Sequence, residues 1–153
     1  MQEVTRVVSN IVKTQFAAIS ENEALARGIA AAFTAQLDPT VEEITEIKTA
    51  VSEAVSNSII HGYGGGSIEK TVSMELKSDE KGMITIIIED TGVGITDVEE
   101  ARKPLYTTGN PEERSGMGFT VMESFMDKVF VESERGKGTR VTLIKSLDIY
   151  YGI

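Results

Sequence analysis

A carboxylate and an amide lie one helical turn apart near the middle of the chain. Glu53 and Asn57 stand in a stretch whose apolar residues recur at helical spacing, so we expect their side chains to be neighbours on one helix face. The amide oxygen can hold a metal ion, and the carboxylate can take a proton from a reacting group. A solvated helix face has the same composition, and taken alone the pair favours that plainer interpretation.

A second carboxylate follows the most apolar segment of the sequence. Residues 83–90 (MITIIIED) predict a strand buried on both faces, and its last residue begins the pattern Asp90-x-Gly92-x-Gly94. A carboxylate at a strand end can accept a hydrogen bond from an amino group such as the exocyclic amine of adenine. Glycines let the backbone approach a ligand closely, although the pattern by itself is equally typical of a plain turn.

Two further glycine motifs lie downstream. Residues 114–118 (RSGMG) lead into a predicted helix, where backbone N–H groups can bind phosphate and Arg114 can pair with a terminal phosphate. Gly138 and Thr139 open the last predicted strand. In isolation each motif predicts only a loop or a hairpin turn. The sequence contains no Gly-x-x-x-x-Gly-Lys-Ser/Thr, which excludes a P-loop.

The composition limits the classes of protein to which this chain can belong. Its 153 residues suit one domain, and the hydrophobic fraction of 41% and charged fraction of 25% are ordinary for a globular protein. With no cysteine and one histidine, His61, it has no disulfide framework, thiol nucleophile or histidine-cluster metal site. The net charge of −9 argues against direct nucleic-acid binding, which needs clustered Lys and Arg. Without a membrane-length apolar run or a signal-peptide pattern, we expect a cytoplasmic protein that does not contact a membrane.

One long helix is expected to carry the carboxylate–amide pair. It spans residues 40–63, with Thr40 as the N-cap, Glu43 completing a capping box and Gly62 as the left-handed residue that ends it. We interpret His61 as a satisfied histidine at the helix end. The residues of this helix expected to face the core are Ile44, Ile47, Val51, Val55 and Ile59.

A shorter helix is predicted before it, over residues 21–37. Ser20 is its expected N-cap, with Glu23 at the capping-box position. Arg27 lies off the centre of the apolar face, where a plain surface charge is the simplest interpretation. The residues expected on the apolar face are Leu25, Ile29, Ala32, Phe33 and Leu37.

The remaining segments predict strands, one more helix and a long polar loop. The strands are expected at 11–19, 71–78, 83–90, 128–134 and 139–145. The helix is expected over 117–126, with Phe119, Val121, Met122, Phe125 and Met126 facing inward. Residues 96–118 predict a lid, with a short helix over 97–103. This order favours a single α+β domain over 1–153, a two-layer sandwich whose mixed, mostly antiparallel sheet carries helices on one face.

The motifs gain specificity from their order along the chain. A helix with Glu-x-x-x-Asn, Asp-x-Gly-x-Gly after a strand, a lid ending in Gly-x-Gly, and Gly-Thr on a strand resemble the Bergerat ATP-binding fold of the GHKL superfamily. Three strings, LDPTVEEITEIKTAVSEAVSNSIIHGY, GITDVEEARKPLYTT and ERSGMGFTVMESFMD, are similar to the anti-sigma serine kinases of spore-forming bacteria. The resemblance runs from about Ser20 to Lys145, which is most of the chain.

The resemblance implies a role for each matching residue. Glu53 would be the general base that accepts the proton of an attacking serine hydroxyl. Asn57 would coordinate Mg²⁺ at the phosphates of ATP or ADP, and Arg114 would lie near the terminal phosphate. Asp90 would anchor adenine, and the helix that carries Arg27 would bind a sigma factor and a second copy of the chain. The further nucleotide contacts implied are Gly92, Gly94, Thr107, Thr108, Ser115, Gly116, Met117, Gly118 and Thr139.

The function implied is that of an anti-sigma factor that is also an ATP-dependent protein serine kinase. Such a protein binds and inhibits a sporulation sigma factor and phosphorylates its anti-anti-sigma partner, with ADP or ATP deciding the partner. Three alternatives stay open: a nucleotide-dependent sigma-binding protein without catalysis, the related stress-response anti-sigma kinase, and the catalytic domain of a histidine kinase. Glu53 favours catalysis, since binding requires no base. The sequence shows no phosphoacceptor helical hairpin before the domain and a lid that is short for a histidine kinase.

Overall fold

The computed structural model describes residues 7–95, 97–98 and 115–148, and for 115–117 it describes the backbone alone. Most of the predicted lid therefore lies outside the described residues, and of the short helix expected over 97–103 only residues 97–98 are described. The elements follow the expected order and are β1 Val8–Ala18, α1 Glu21–Ala35, α2 Val41–Asn57, a helical turn at Ser58–Gly62, β2 Ser67–Asp79, β3 Met83–Asp90, α3 Ser115–Phe125, β4 Lys128–Glu134 and β5 Gly138–Ser146.

The sheet has five strands in the order β1-β2-β3-β5-β4. We expected a mixed sheet, but every pairing among the described strands is antiparallel, because β2–β3 and β4–β5 are hairpins and β1 and β5 also run against their neighbours. The register places Asp90, at the end of β3, opposite Thr139, at the start of β5. Two of the residues expected at a nucleotide site thus lie side by side where the two interior strands β3 and β5 meet at one end of the sheet.

Helices cover one face of this sheet, which confirms the predicted α+β sandwich. Along β3 the side chains of Ile84, Ile86 and Ile88 are buried, and the residues between them are only half-buried. The prediction that β3 is buried on both faces is therefore wrong. Ile87 is the reason, because an isoleucine on the open face hides the alternation expected of a strand in a one-sided sheet.

The inward face of α1 agrees with the predicted one only in part. Phe33 is buried, and Ile29 and Leu37 pack half-buried against the core, as predicted. Leu25 is 49% exposed and Ala32 is also exposed, whereas Ala26, Ala30 and Thr34 are buried. Helix α1 packs mainly on α2, and two of its four buried residues are alanines. Apolar character alone predicted the larger Leu25 side chain to face inward, but the packing of α1 on α2 places the small alanines there instead.

The predicted cap of α1 is also absent. Ser20 has helical backbone angles (φ −60°, ψ −31°) and its side chain caps no backbone N–H; its hydroxyl donates to the neighbouring carboxylate of Glu21 at 3.2 Å. An N-cap residue normally has extended angles, which aim its oxygen at the first free N–H groups. The Glu23 carboxylate instead accepts from side chains on α1 and α2.

The capping box of α2 is confirmed. The N–H of Glu43 donates to the Thr40 hydroxyl at 3.0 Å, and the N–H of Thr40 donates to the Glu43 carboxylate at 2.9 Å. Four of the five predicted core residues of this helix are buried, and the fifth, Ile44, is half-buried. The first turn of α2 is thus fixed by its own side chains, and the rest of the helix by packing.

The end of α2 differs from the expected single helix. After Asn57 the chain forms one wider turn, Ser58–Gly62, closed by a hydrogen bond from the N–H of Tyr63 to the carbonyl of Ser58 at 3.0 Å, five residues back. Gly62 is not left-handed; the first residue with positive φ after this turn is Gly64 (φ 61°). Wider turns of this kind are rare and often lie at functional sites.

Helix α3 begins two residues earlier than predicted. Phe119, Met122 and Met126 are buried as expected, but Val121 and Phe125 are only partly buried.

No helix in the described part of the chain is long and apolar enough to cross a membrane.

Candidate functional site

A cavity of about 210 Å³ opens where the end of α2, the wider turn, the end of β3, the start of α3 and β5 meet. This volume is below the roughly 300–1,000 Å³ typical of pockets for whole drug-sized ligands, so it suits a flat ring system better than a complete nucleoside triphosphate. Four predicted site residues line it: Asn57, Asp90, Gly94 and Thr139. The other described lining residues are Ala54, Ser58, His61, Gly62, Ile95, Phe119 and Val141.

Asp90 places a buried carboxylate in the wall of this cavity. Its side chain is only 4% exposed, and its Oδ1 accepts a hydrogen bond from the N–H of Gly92 at 3.0 Å. Burial raises the pKa of the Asp90 carboxyl, and hydrogen bonds from the Gly92 N–H and the Ser58 hydroxyl offset part of that rise. A carboxylate that stays ionised here can accept a further hydrogen bond from a ligand amino group.

The raised pKa makes ionised Asp90 unfavourable for folding. Because the folded-state pKa lies above the ordinary value of 3.8, this carboxyl favours the folded state below that value, and the contribution is lost as the pH rises through the folded pKa. We therefore expect ligand-free Asp90→Asn to be more stable than the wild type at pH 7, with a difference that shrinks on acidification.

Thermal unfolding of both proteins over a pH series measures this difference. Glu132→Gln is the matched control, since it removes an exposed carboxylate on β4 that lies 3.8 Å from Arg140, and it should not raise the melting temperature. An Asp90→Asn variant that is less stable than the wild type, by the same margin at every pH, would contradict the burial cost assigned to this carboxyl.

The glycines around Asp90 allow two backbone segments to touch. A Cβ on Gly92 would collide with the carbonyl oxygen of Gly62, and a Cβ on Gly62 would lie 2.9 Å from the Asp90 side-chain carbon. The N–H of Val93 donates to the Gly62 carbonyl at 3.0 Å, so the wider turn and the loop after β3 are joined directly. Gly92 thus packs behind the cavity, while Gly94 (φ 77°) lies on its wall.

The start of α3 reaches the polar face of α2. A Cβ on Gly118 would lie 3.0 Å from Asn57 Nδ2 and 3.4 Å from Glu53 Oε2, so glycine is what lets the two helices meet. The Nδ2 atom of Asn57 is buried and has no hydrogen-bond partner in the described part of the chain. A solvated helix face does not bury an amide nitrogen in this way, so the plainer interpretation of the pair does not account for Asn57.

The residues around Asn57 fit a Mg²⁺ ion that is coordinated partly by the protein and partly by a bound ligand. Among the described residues no three His, Cys, Asp or Glu side chains gather closely enough to hold a metal alone. Mg²⁺ is commonly bound through one or two protein oxygens together with substrate phosphates and water. The Asn57 amide can supply such an oxygen. The oxygen and nitrogen of a side-chain amide are told apart by their hydrogen bonds. Because the buried Nδ2 atom of Asn57 makes none, the amide can equally be turned so that its oxygen faces the ligand.

The structure describes only some of the other predicted site residues. Thr139 lines the cavity, and its hydroxyl lies 2.8 Å from the Ser133 hydroxyl. Residues 115–117 form the first turn of α3, with the backbone N–H groups that the phosphate hypothesis requires. Thr107, Thr108 and Arg114 lie outside the described residues.

Arg27 lies away from the cavity, between α1 and α2. Its guanidinium is 3.2 Å from the Glu23 carboxylate and 3.2 Å from the Ser52 hydroxyl, which itself donates to Glu23 at 2.6 Å. The Arg27 side chain is 39% exposed. An acidic group on a partner can therefore reach Arg27, although it would compete with Glu23.

Two polar side chains that line the cavity were not predicted as site residues. Ser58 donates a hydrogen bond to Asp90, and His61 presents a buried Nε2 atom without a partner among the described residues. The interpretation of His61 as a satisfied helix-terminal histidine is therefore wrong. Its spacing of four residues from Asn57 was the signal available in the sequence, whereas Ser58 faces Asp90 in a turn that no local pattern predicts.

Known proteins similar to this chain agree with the fold and with the family that the motifs resemble. A model of the family described as the histidine kinase-like ATPase domain matches residues 16–145. The anti-sigma F factor of Geobacillus kaustophilus is 55% identical over 141 residues, covering 90% of this chain and 93% of the relative. That of Clostridium novyi is 56% identical over 138 residues, covering 90% and 95%.

A solved structure supports the fold alone. The RsbU and RsbW domains of Rv1364c from Mycobacterium tuberculosis align with a TM-score of 0.67 at 16% identity, over 91% of this chain and 33% of that longer one. The family match spans most of the sequence, and the curated relatives are matched over nearly their whole length. The chain belongs to the anti-sigma F factor family, within the histidine kinase-like ATPase domains.

Proposed function

We propose that this chain is an anti-sigma factor that holds a sporulation sigma factor inactive and, as an ATP-dependent serine kinase, phosphorylates the anti-anti-sigma partner. The observation that carries the proposal is the meeting of Glu53, Asn57 and Gly118 beside the cavity that contains Asp90. A proton acceptor, a metal-binding amide and a helix N-terminus thus lie together next to a base-sized space. The names of the curated relatives support the sigma factor as partner.

The nucleotide would bind with adenine in the cavity and its phosphates toward α3. Asp90 would accept a hydrogen bond from the adenine amino group, and the apolar side chains of Ile95, Phe119 and Val141 would pack around the ring. The N–H groups in the first turn of α3 would bind the phosphates. Asn57 would hold Mg²⁺, which neutralises phosphate charge when bound, and Arg114 would add a positive charge at the terminal phosphate.

Phosphoryl transfer then needs mainly positioning and one proton acceptor. The oxygen of the partner's serine would form a bond to the γ-phosphorus as the bond to the β-phosphate oxygen breaks and ADP leaves. Glu53 would take the proton of the serine hydroxyl. The charge that develops on the transferred group would be stabilised by the N–H groups of α3 and by Arg114.

A binding-only anti-sigma factor would use the same cavity without Glu53. Both functions predict that a sigma factor binds in a nucleotide-dependent manner through the surface around Arg27, in the cytoplasm where sigma factors act. Capture of the cognate sigma factor on the immobilised protein, with ATP, ADP or no nucleotide, tests this shared claim. Equal capture under all three conditions, or none, would contradict the proposed function; phosphate transfer separates the two versions.

We expect the protein to be a homodimer built around β1 and α1. β1 is an edge strand of the sheet and exposes Val8 (53%) and Ile11 (47%), while α1 exposes Leu25 and several alanines. Light scattering at tens of micromolar, roughly the range for weak dimers, should give twice the monomer mass. Ile11→Lys should favour the monomer, and Val41→Lys, at an 82% exposed residue on α2, is the matched control. A monomeric wild type would count against the dimer.

A further inference from the structure

The hydroxyl of Tyr63 joins three segments behind the cavity. It donates to the carbonyl of Thr71 on β2 at 2.7 Å and accepts from the N–H of Thr91 at 2.8 Å. Its oxygen also lies 3.3 Å from the Thr91 hydroxyl. Tyr63 directly follows the wider turn, so one side-chain oxygen links the end of the α2 region to β2 and to the loop after β3.

The directions of these hydrogen bonds follow from the chemistry of the groups. A carbonyl oxygen only accepts, so the single proton of the Tyr63 hydroxyl points to Thr71. The third contact must then be donated by the Thr91 hydroxyl. The Tyr63 hydroxyl thus donates one hydrogen bond and accepts two, which is its full capacity. Both groups that donate to it belong to Thr91.

Thr91 lies between Asp90 and Gly92 and is held from more than one side. A Cβ on Gly138 would lie 2.7 Å from the Thr91 Cα, so β5 packs against it closely. Gly62 packs against the Asp90 carboxylate in the same region. Tyr63 supplies polar side-chain contacts that hold this segment. The Tyr63 ring packs against the core, and Tyr63 is not among the residues that line the cavity.

We propose that Tyr63 is a positioning residue for base recognition, whose hydroxyl fixes the Asp90–Gly92 segment and so sets the preference for 6-aminopurine over 6-oxopurine nucleotides. This inference rests on the proposed nucleotide site. A fixed Asp90 carboxylate meets the amino group of adenine favourably, but it faces the oxygen of hypoxanthine as one acceptor against another. When the Asp90–Gly92 segment is less rigid, the favourable binding free energy with adenine and the unfavourable one with hypoxanthine both become smaller.

Tyr63→Phe removes the hydroxyl and keeps the ring. Calorimetric titration with ATP and with inosine triphosphate should show ATP affinity falling about five- to tenfold, the equivalent of one typical hydrogen bond. Affinity for inosine triphosphate should stay the same or rise, so the ratio between the two nucleotides falls. Ile84→Val is the matched control, since it weakens packing at the far end of β3 and should lower the melting temperature without changing that ratio.

The outcomes separate this inference from the proposed function. A wild type that prefers ATP, with the same preference in Tyr63→Phe, overturns the role of Tyr63 and leaves the nucleotide site standing. A wild type that binds neither nucleotide overturns both. If Tyr63→Phe does not fold, Thr91→Val takes its place, because it removes one of the hydroxyl contacts to Tyr63. An unchanged nucleotide ratio in folded Thr91→Val would then refute the inference, and a reduced ratio would support it.

Discussion

Glu53→Gln is expected to slow serine phosphorylation by roughly 10²–10⁴-fold, the usual contribution of a general base, while ATP binding persists. Glutamine keeps the shape and hydrogen-bonding capacity of the side chain but cannot take the serine proton. The rate is measured with labelled ATP and the purified anti-anti-sigma partner, at saturating nucleotide. ATP affinity is measured on the same preparation, so that a loss of binding is not mistaken for a loss of catalysis.

Glu46→Gln is the matched control for this change. Glu46 stands two helical turns before Glu53 on α2, and its carboxylate lies 3.8 Å from the ammonium of Lys145. The same chemical change there should leave the transfer rate within a factor of about two, since neither Glu46 nor Lys145 lines the cavity. Sigma binding with ATP should survive Glu53→Gln. Transfer by Glu53→Gln at the wild-type rate would show that Glu53 is not the base.

Asn57→Ala is expected to damage both nucleotide affinity and transfer. Losing even an indirect partner of a metal site commonly costs about 10–100-fold, so removal of a direct ligand should cost at least that. Sigma binding in the presence of ATP should weaken as well, because the nucleotide that supports it is lost. Asn57→Ala therefore differs from Glu53→Gln, although both residues lie on one face of α2 and close to Gly118.

Removal of the metal tests whether Asn57 acts through Mg²⁺. Chelation of Mg²⁺ should reduce ATP affinity of the wild type strongly and reduce that of Asn57→Ala little further, because the same interaction is already lost. Asn22→Ala is the control amide, since Asn22 donates to the Ala17 carbonyl at 2.9 Å at the start of α1 and does not line the cavity. Equal effects of chelation on wild type and Asn57→Ala would place the metal elsewhere.

Local signals in the sequence were sufficient for much of the framework. The bounds of β3 and β4 agree with the predicted ones because Gly and charged turn residues end each apolar run. The Thr40–Glu43 capping box is a pattern of local hydrogen bonds, and its geometry depends on few distant contacts. The motif order also predicted that Asn57, Asp90 and Thr139 would come together.

Features that depend on packing between elements were not predictable in this way. The inward face of α1 is set by how closely α2 approaches, which favours Ala26 and Ala30 over Leu25. The wider turn after Asn57 shifts the following residues around the helix axis, and no residue type signals it. That turn carries Ser58 and His61, so the two polar cavity side chains that were missed share one physical cause.

The most direct test of the central claim is mass spectrometry of the anti-anti-sigma protein after incubation with this chain, ATP and Mg²⁺. The account predicts phosphate on a serine of that protein, formed by the wild type and nearly absent with Glu53→Gln at equal ATP occupancy. No phosphoserine with the wild type, under conditions in which ATP is bound and the sigma factor is held, would contradict the kinase and leave a binding-only anti-sigma factor.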